Sequence, residues 1–290
     1  NYAARHISVH YHIANCHLND AKKNEALFRY DFITKKPNNN YYTEALKYAG
    51  EITFDAHDYK NALAYFSTLE DVSMDEEDLS LSIKGQFYCF YYLNNPISTI
   101  KYAKKTLQLS NINKKLKEDS YLYLAKSYQS VNQLDSAVIY YDSIMYFTKS
   151  IAAAESKYHI CEIAYERKNY ELCESLIMEL VQQKPSYDYW LAKGILLLGD
   201  NFTAQNDYFN AKHSVESIIE NYDGFNKKEI VDEAVLKLQS IQKLEIDELK
   251  EEPIQQEIEI DLELIEDINS KLEPEINEIN STENNHDENK

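Results

Sequence analysis

Four histidines near the start of the chain and two cysteines in its second half are the residues with the most chemistry to offer. His6 and His10 stand four apart, with His12 and His17 close by. On a helix, His6 and His10 share one face, a spacing that can seat a transition-metal ion. No carboxylate at matching spacing completes such a site and His12 points elsewhere, so we expect these rings to pack instead. Cys161 and Cys173 are twelve apart, while Cys16 and Cys89 have no obvious mates. In an oxidising compartment a pair held at about 4.4–6.8 Å between α-carbons can bridge. A buried cysteine equally serves as a small hydrophobe, which is the role expected here.

Other catalytic signatures are missing. Of five glycines, Gly194 and Gly199 lie closest, and they lack the lysine and serine or threonine of a phosphate loop. There is no G-x-S-x-G elbow and no HExxH. The carboxylates fall on solvated helix faces or in the C-terminal tail, where paired acid–base work is not expected. The chain therefore reads as a non-enzyme without cofactor or metal, and function must come from the surface that its elements build.

Those elements are announced by small residues twelve positions apart: Ala14/Ala26, Gly50/Ala62, Ala125/Ala137, Cys161/Cys173 and Gly199/Ala211, with Phe87/Thr99 filling the gap. Their first members follow one another at intervals of 36, 37, 38, 36 and 38 residues. A period of this size marks one supersecondary unit repeated as a solenoid. Each unit reads as two amphipathic helices. In the fourth, Tyr121, Leu124, Ala125 and Tyr128 share one helical face, and Ala137, Tyr141 and Ile144 share another. The small residues belong where the two helices cross most closely, since a large side chain there overpacks by about 1–3 kcal/mol. Larger residues follow at fixed offsets: Tyr30, Phe66, Tyr141, Ile177 and Val215 four after the second small residue, and Ile33, Leu69, Ile144, Leu180 and Ile218 seven after it.

This pattern, best kept in IAYERKNYELCESLIMELVQQKP and GDNFTAQNDYFNAKHSVESIIENY, resembles the tetratricopeptide repeat family over about residues 5 to 224. His10 and His17 then stand at aromatic slots of the first repeat, and Thr53 and Ala164 also depart from the family pattern. The resemblance implies an all-α, right-handed α-solenoid of about six degenerate helix pairs, near 7–40, 43–76, 80–113, 118–151, 154–187 and 192–225. Pro37 and Pro185 fall between repeats and Pro96 between the two helices of the third, so none interrupts a predicted helix. Gly224 follows the last repeat helix, a favoured place for a left-handed cap.

After the solenoid (1–224) a helix over 226–250 carries Ile230, Ala234, Leu238, Ile241 and Leu244 on one face and is expected to cap the last repeat. The remainder, 251–290, is an acidic tail expected to be mostly disordered. From Glu245 to Lys290 there are 17 acidic and 3 basic residues, net −14; the other 32 and 27 leave the solenoid at only −5. Such a balance does not suit nucleic acid, which needs lysine and arginine on its phosphates. No stretch is long and apolar enough to span a membrane. Within the tail, EIEIDLEL (257–264) alternates like a strand, yet Ile258, Leu262 and Ile265 also suit a helix. It is either a linear motif that orders on a partner or an acidic terminus that aids solubility.

In the family the first helices line the concave face. Carried over, this places Glu51, Phe54, Lys126, Tyr158, Glu162, Tyr165, Asp200 and Thr203 at a groove for a peptide or protein partner. The lysine and asparagine pattern that some members use for acidic chaperone tails is not recognisable: Asn15 suits it, but Tyr11 stands where a lysine is wanted. The last three repeats look most like the long repeat proteins of Bacteroidota, which implies a cell-envelope scaffold, periplasmic or outer-membrane-associated. A sensory region of a signalling protein and a thiol or metal redox module are the alternatives. The chain starts at Asn1, inside the repeat pattern, and reads as a C-terminal fragment of a longer protein.

Overall fold

A computed structural model of the chain describes residues 2–248. Among these residues every regular element is an α-helix, and the helices come in pairs. They are α1 (Tyr2–Asn19) and α2 (Lys23–Thr34), α3 (Tyr42–Asp55) and α4 (Tyr59–Val72), α5 (Glu76–Tyr92) and α6 (Pro96–Leu107), and α7 (Lys114–Ser130) and α8 (Leu134–Phe147). There follow α9 (Ile151–Glu166) and α10 (Tyr170–Gln182), α11 (Asp188–Thr203) and α12 (Tyr208–Asn221), and a last helix, α13, over 227–248. The chain forms two compact units, 1–191 and 192–290, and each is described by itself. The tail expected to be disordered, EIEIDLEL included, lies outside the described residues.

In the first unit each helix from α1 to α10 packs on the next in chain order, and the first helices of neighbouring pairs also meet, α3 on α5 and α7 on α9. The twelve-residue pairs sit at the helix crossings: Ala14, Ala26, Ala62, Ala125, Ala137, Cys161 and Cys173 are completely buried. Phe87 and Thr99 are buried as well, at 0% and 1% exposure, so the third repeat keeps the register despite its residue types. A size exchange explains how. At Gly50 and Gly199 an added β-carbon would stand 2.8 Å from Phe66 and 2.6 Å from Val215, the residues sixteen positions on. The two positions therefore share one volume. In the third repeat the large ring is Phe87 and the residue sixteen on is Ala103, a compensation that conserves core volume.

The turn inside each pair follows the same register. Ala21, His57, Asn94, Asn132, Lys168 and Asn206, each seven after the first small residue, all have positive φ, between 54° and 61°. The next residue donates its backbone N–H to a carbonyl five positions back, as in Lys22 to His17, Asp58 to Thr53, Gln133 to Tyr128 and Asn169 to Ala164. This is the closure of a left-handed helix C-terminus, made here without a single glycine. Four of these next residues also cap the second helix: Asp58, Asn95, Asn169 and Asp207 accept from the backbone three residues on, whereas Lys22 and Gln133 make no side-chain cap.

Polar contacts between pairs add specificity at the second helices. Glu70 on α4 accepts from Gln86 of α5 and from Tyr102 and Lys105 of α6, at 2.5, 2.9 and 2.6 Å. Cys161 and Cys173 are thiols, both fully buried, and burial pushes the Cys161 thiol well up.

In the second unit α11 and α12 cross at Gly199, and α13 covers them. Ile230, Ala234 and Ile241 are buried, and three ion pairs fasten the helix: Lys193–Glu233, Lys237–Asp200 and Lys212–Glu245, at 3.0, 2.6 and 2.7 Å. Two expectations fail here. Leu244 is 45% exposed, its side chain turned away from the α11–α12 pair. Gly224 is not left-handed; positive φ falls at Asn226, ahead of α13, and Gly224 is where a β-carbon would lie 2.7 Å from the Tyr222 hydroxyl.

Candidate functional site

The predicted groove residues stand on first helices, one and four positions after the small residue of each repeat, and Tyr158 stands three before it. In the second repeat Phe54 is half-buried, with Tyr59 at 5.4 Å and Tyr88 and Tyr92 both at 6.2 Å between ring centres. Glu51, one turn away, lines a cleft of about 600 Å³ together with Lys47, Glu76 and Lys84. Burial raises the Glu51 carboxyl above its ordinary value, with Lys47 opposing.

From Phe54 the rings continue along the first helices. Tyr88 lies 6.2 Å from Tyr123, Tyr123 stacks on Tyr91 at 3.7 Å, and Tyr91 meets Tyr92 at 5.5 Å. Tyr92 is 46% exposed, so the run reaches the surface. Offset and edge contacts of this kind contribute about 0.5–1.5 kcal/mol per pair beyond area burial. Polar rungs cross between neighbouring first helices at a constant register. The Tyr88 hydroxyl donates to Asp119 at 2.9 Å, and Lys126 pairs with Glu155. In both rungs the earlier residue follows the first crossing position of its repeat, Phe87 or Ala125, and the later one is six before that of the next, Ala125 or Cys161.

The run ends in a charged group. His159, on α9, places Nδ1 2.6 Å from Glu162 and Nε2 3.8 Å from Glu155, and its ring stacks on Tyr141 at 5.2 Å. Burial disfavours the imidazolium, but hydrogen bonding to Glu155 and Glu162 outweighs it and raises the His159 pKa. Burial likewise opposes the Glu155 carboxylate, but His159 and Lys126 hold its pKa below the usual value. The Tyr141 hydroxyl donates to Gln129 at 2.7 Å, and burial drives its pKa far up.

Tyr158 is buried at 8% exposure against Trp190, 5.4 Å away. Tyr165 is half-buried beside Tyr170, at 6.1 Å. In the second unit, Asp200 is paired with Lys237 of α13, and the Thr203 hydroxyl donates to the Gly199 carbonyl at 2.7 Å. Sequence reasoning missed Tyr88, Tyr91, Tyr123, Glu155 and His159. Tyr88 and Tyr91 hold the same register in the third repeat as Glu51 and Phe54 in the second, so the period alone could have found them.

Near the start of the chain, His6 and His10 gather on one aromatic ring. His10 stacks on Phe32 at 4.0 Å, His6 lies edge-on to both, and Arg29 stands 3.5 Å from His10 Nδ1. Among the described residues no group of three His, Cys, Asp or Glu side chains is placed to share a metal ion. No described helix is long and apolar enough to cross a membrane.

Helix pairs closed by left-handed turns and, in the first unit, packed each on the next in chain order define an α-helical repeat protein. The fold is that of the tetratricopeptide repeat. Among solved structures, the C-terminal part of a tetratricopeptide repeat-containing protein from Cytophaga hutchinsonii is similar with a TM-score of 0.50 at 14% identity, covering 82% of this chain and 98% of that one. A tetratricopeptide repeat protein from Parabacteroides merdae has a TM-score of 0.49 at 13% identity, covering 79% and 98%. No family model matches the chain, and no curated protein matches it.

Proposed function

We propose that the chain is a non-catalytic scaffold that binds a peptide or protein segment along the face formed by its first helices, within a bacterial cell-envelope assembly. The observation that carries this reading is the run of rings from Phe54 through Tyr88, Tyr91, Tyr92 and Tyr123 to the charged group of Lys126, Glu155, His159 and Glu162. Tyrosine offers large contact area at low entropy cost, and fixed charges beside it give register. Repeat folds build such extended surfaces because each unit contacts only its neighbours. In the first unit Glu51, Phe54, Lys126, Glu162 and Tyr165 are the proposed contact set, with Tyr158 packed behind them on Trp190; Asp200 and Thr203 hold the same register positions in the second unit.

The test is a selection of peptides from a displayed library on the whole chain, followed by affinity measurements on Phe54→Ala, Tyr91→Ala and Glu162→Ala. The reading expects each variant to weaken the selected peptides about tenfold, as hot-spot truncations do, with little change in the helical melt. Equal affinity for all three variants overturns it. The envelope setting rests on the likeness to repeat proteins of Bacteroidota, and fractionation of source cells with an antiserum to the chain tests it: recovery with soluble cytoplasmic protein counts against it.

A further inference from the structure

A cleft of about 430 Å³ opens where the end of α8, the start of α9 and the end of α10 meet. Its floor is apolar, from Met145 and Ala153, and its rim carries Lys149, Lys157 and Lys184. Glu179 is the one carboxylate among the lining residues, and Lys157 holds it at 3.0 Å. Lys149 and Lys184 are exposed and have no carboxylate partner among the described residues. In a chain of net charge −19 this is a local surplus of cations gathered by three helices. The first turn of α9, to which Ala153 belongs, holds no acidic residue, and its cap residue Ser150 makes no side-chain bond. The partial positive charge of that helix end therefore adds to the lysines, with no acidic residue in its own first turn to answer it.

The cleft has the size of a ligand pocket, which runs to about 300–1,000 Å³. A cationic rim around an apolar floor fits a ligand with alternating character. We propose that this cleft binds an acidic peptide segment, an apolar side chain resting on Met145 and Ala153 and flanking carboxylates meeting Lys149 and Lys184. It is a second docking point, at the edge between the fourth and fifth helix pairs, independent of the face lined by the first helices.

The whole chain is titrated with a peptide of alternating Glu and Leu, and with its Gln/Leu counterpart. About 0.1 M salt screens distant acidic residues beyond roughly 10 Å. The Glu peptide binds and the Gln peptide does not. Lys149→Glu with Lys184→Glu weakens the Glu peptide by roughly tenfold or more, while the exposed positions leave the melt unchanged. Tyr91→Ala leaves this affinity unchanged, which separates the cleft from the first-helix face. Equal binding of the Gln peptide, or of the Glu peptide to the charge-reversed chain, overturns the proposal. Inorganic phosphate that binds as tightly as the peptide and displaces it overturns the peptide assignment.

Discussion

A β-carbon placed on Gly85 of α5 would stand 2.4 Å from Cδ2 of Phe66 on α4, and the opposite edge of the same ring lies 2.8 Å from where Gly50 would carry one. Phe66 is thus clamped edge-on between two glycines, one in its own repeat and one in the next. Helix propensity favours alanine over glycine by about 1 kcal/mol, but the ring has no free edge toward which to move. We expect Gly85→Ala to destabilise the chain by about 1–3 kcal/mol, the range for overpacked cores. Phe66→Leu in that background should recover part of the loss in a denaturant melt. A neutral or stabilising Gly85→Ala contradicts the clamp.

The exchange between Phe87 and Ala103 predicts compensation. Phe87→Ala alone leaves a core cavity and should cost about 3–5 kcal/mol. Adding Ala103→Phe restores the arrangement of the other repeats and should return roughly half of that loss. A double variant as unstable as the sum of its parts would show that the two positions do not share volume.

Lys168 has φ 57° in the turn between α9 and α10. A residue with a β-carbon in this region is disfavoured by about 1–2 kcal/mol, while glycine is not. Lys168→Gly should therefore stabilise, less the roughly 0.4–1 kcal/mol lost to greater freedom of the unfolded chain. Asn132→Gly, in the equivalent turn at φ 58°, should change stability less, because asparagine tolerates the conformation. Paired thermal melts decide the order.

His159 links stability to pH. It faces Lys126 of α7, Tyr141 of α8, Glu155, Tyr158 and Glu162 of its own helix, and Trp190 at the start of α11. Its pKa is raised above the ordinary 6.5, so its contribution is complete below that pH and is lost as pH rises through the folded value. Glu155 is depressed below 4.5, so its contribution is present above that pH and lost on acidification. The melting temperature should fall as pH is raised from about 6 to 8. His159→Gln should flatten that fall, and identical pH profiles for the two chains would refute the link.

Much of the proposed site became visible only through packing. Glu51, Phe54, Lys126 and Glu162 follow from the register because they keep a constant offset from the small residue. Tyr88 and Tyr91 keep the same offset, but Phe87 broke the small-residue rule and hid them. Tyr158 shares a face with the groove residues by spacing, yet it is buried against Trp190, since the first turn of the following helix reaches it. The left-handed turn positions also recur at the repeat period, but Ala21, His57 and Lys168 carry no compositional mark of that conformation.

The sequence by itself determined the helix pairs, their number and their register. Those depend on which residues are small or apolar along one helix, and a period of 36–38 residues records that directly. Only the tertiary structure decided that Lys126 would pair with Glu155, that His159 would sit between two carboxylates, and that Lys149 and Lys184 would line one cleft with no carboxylate partner among the described residues. Helix periodicity is a property of a single segment. Side-chain pairing depends on how one repeat is rotated on the next, and that rotation is set by the summed packing of residues far apart in the chain.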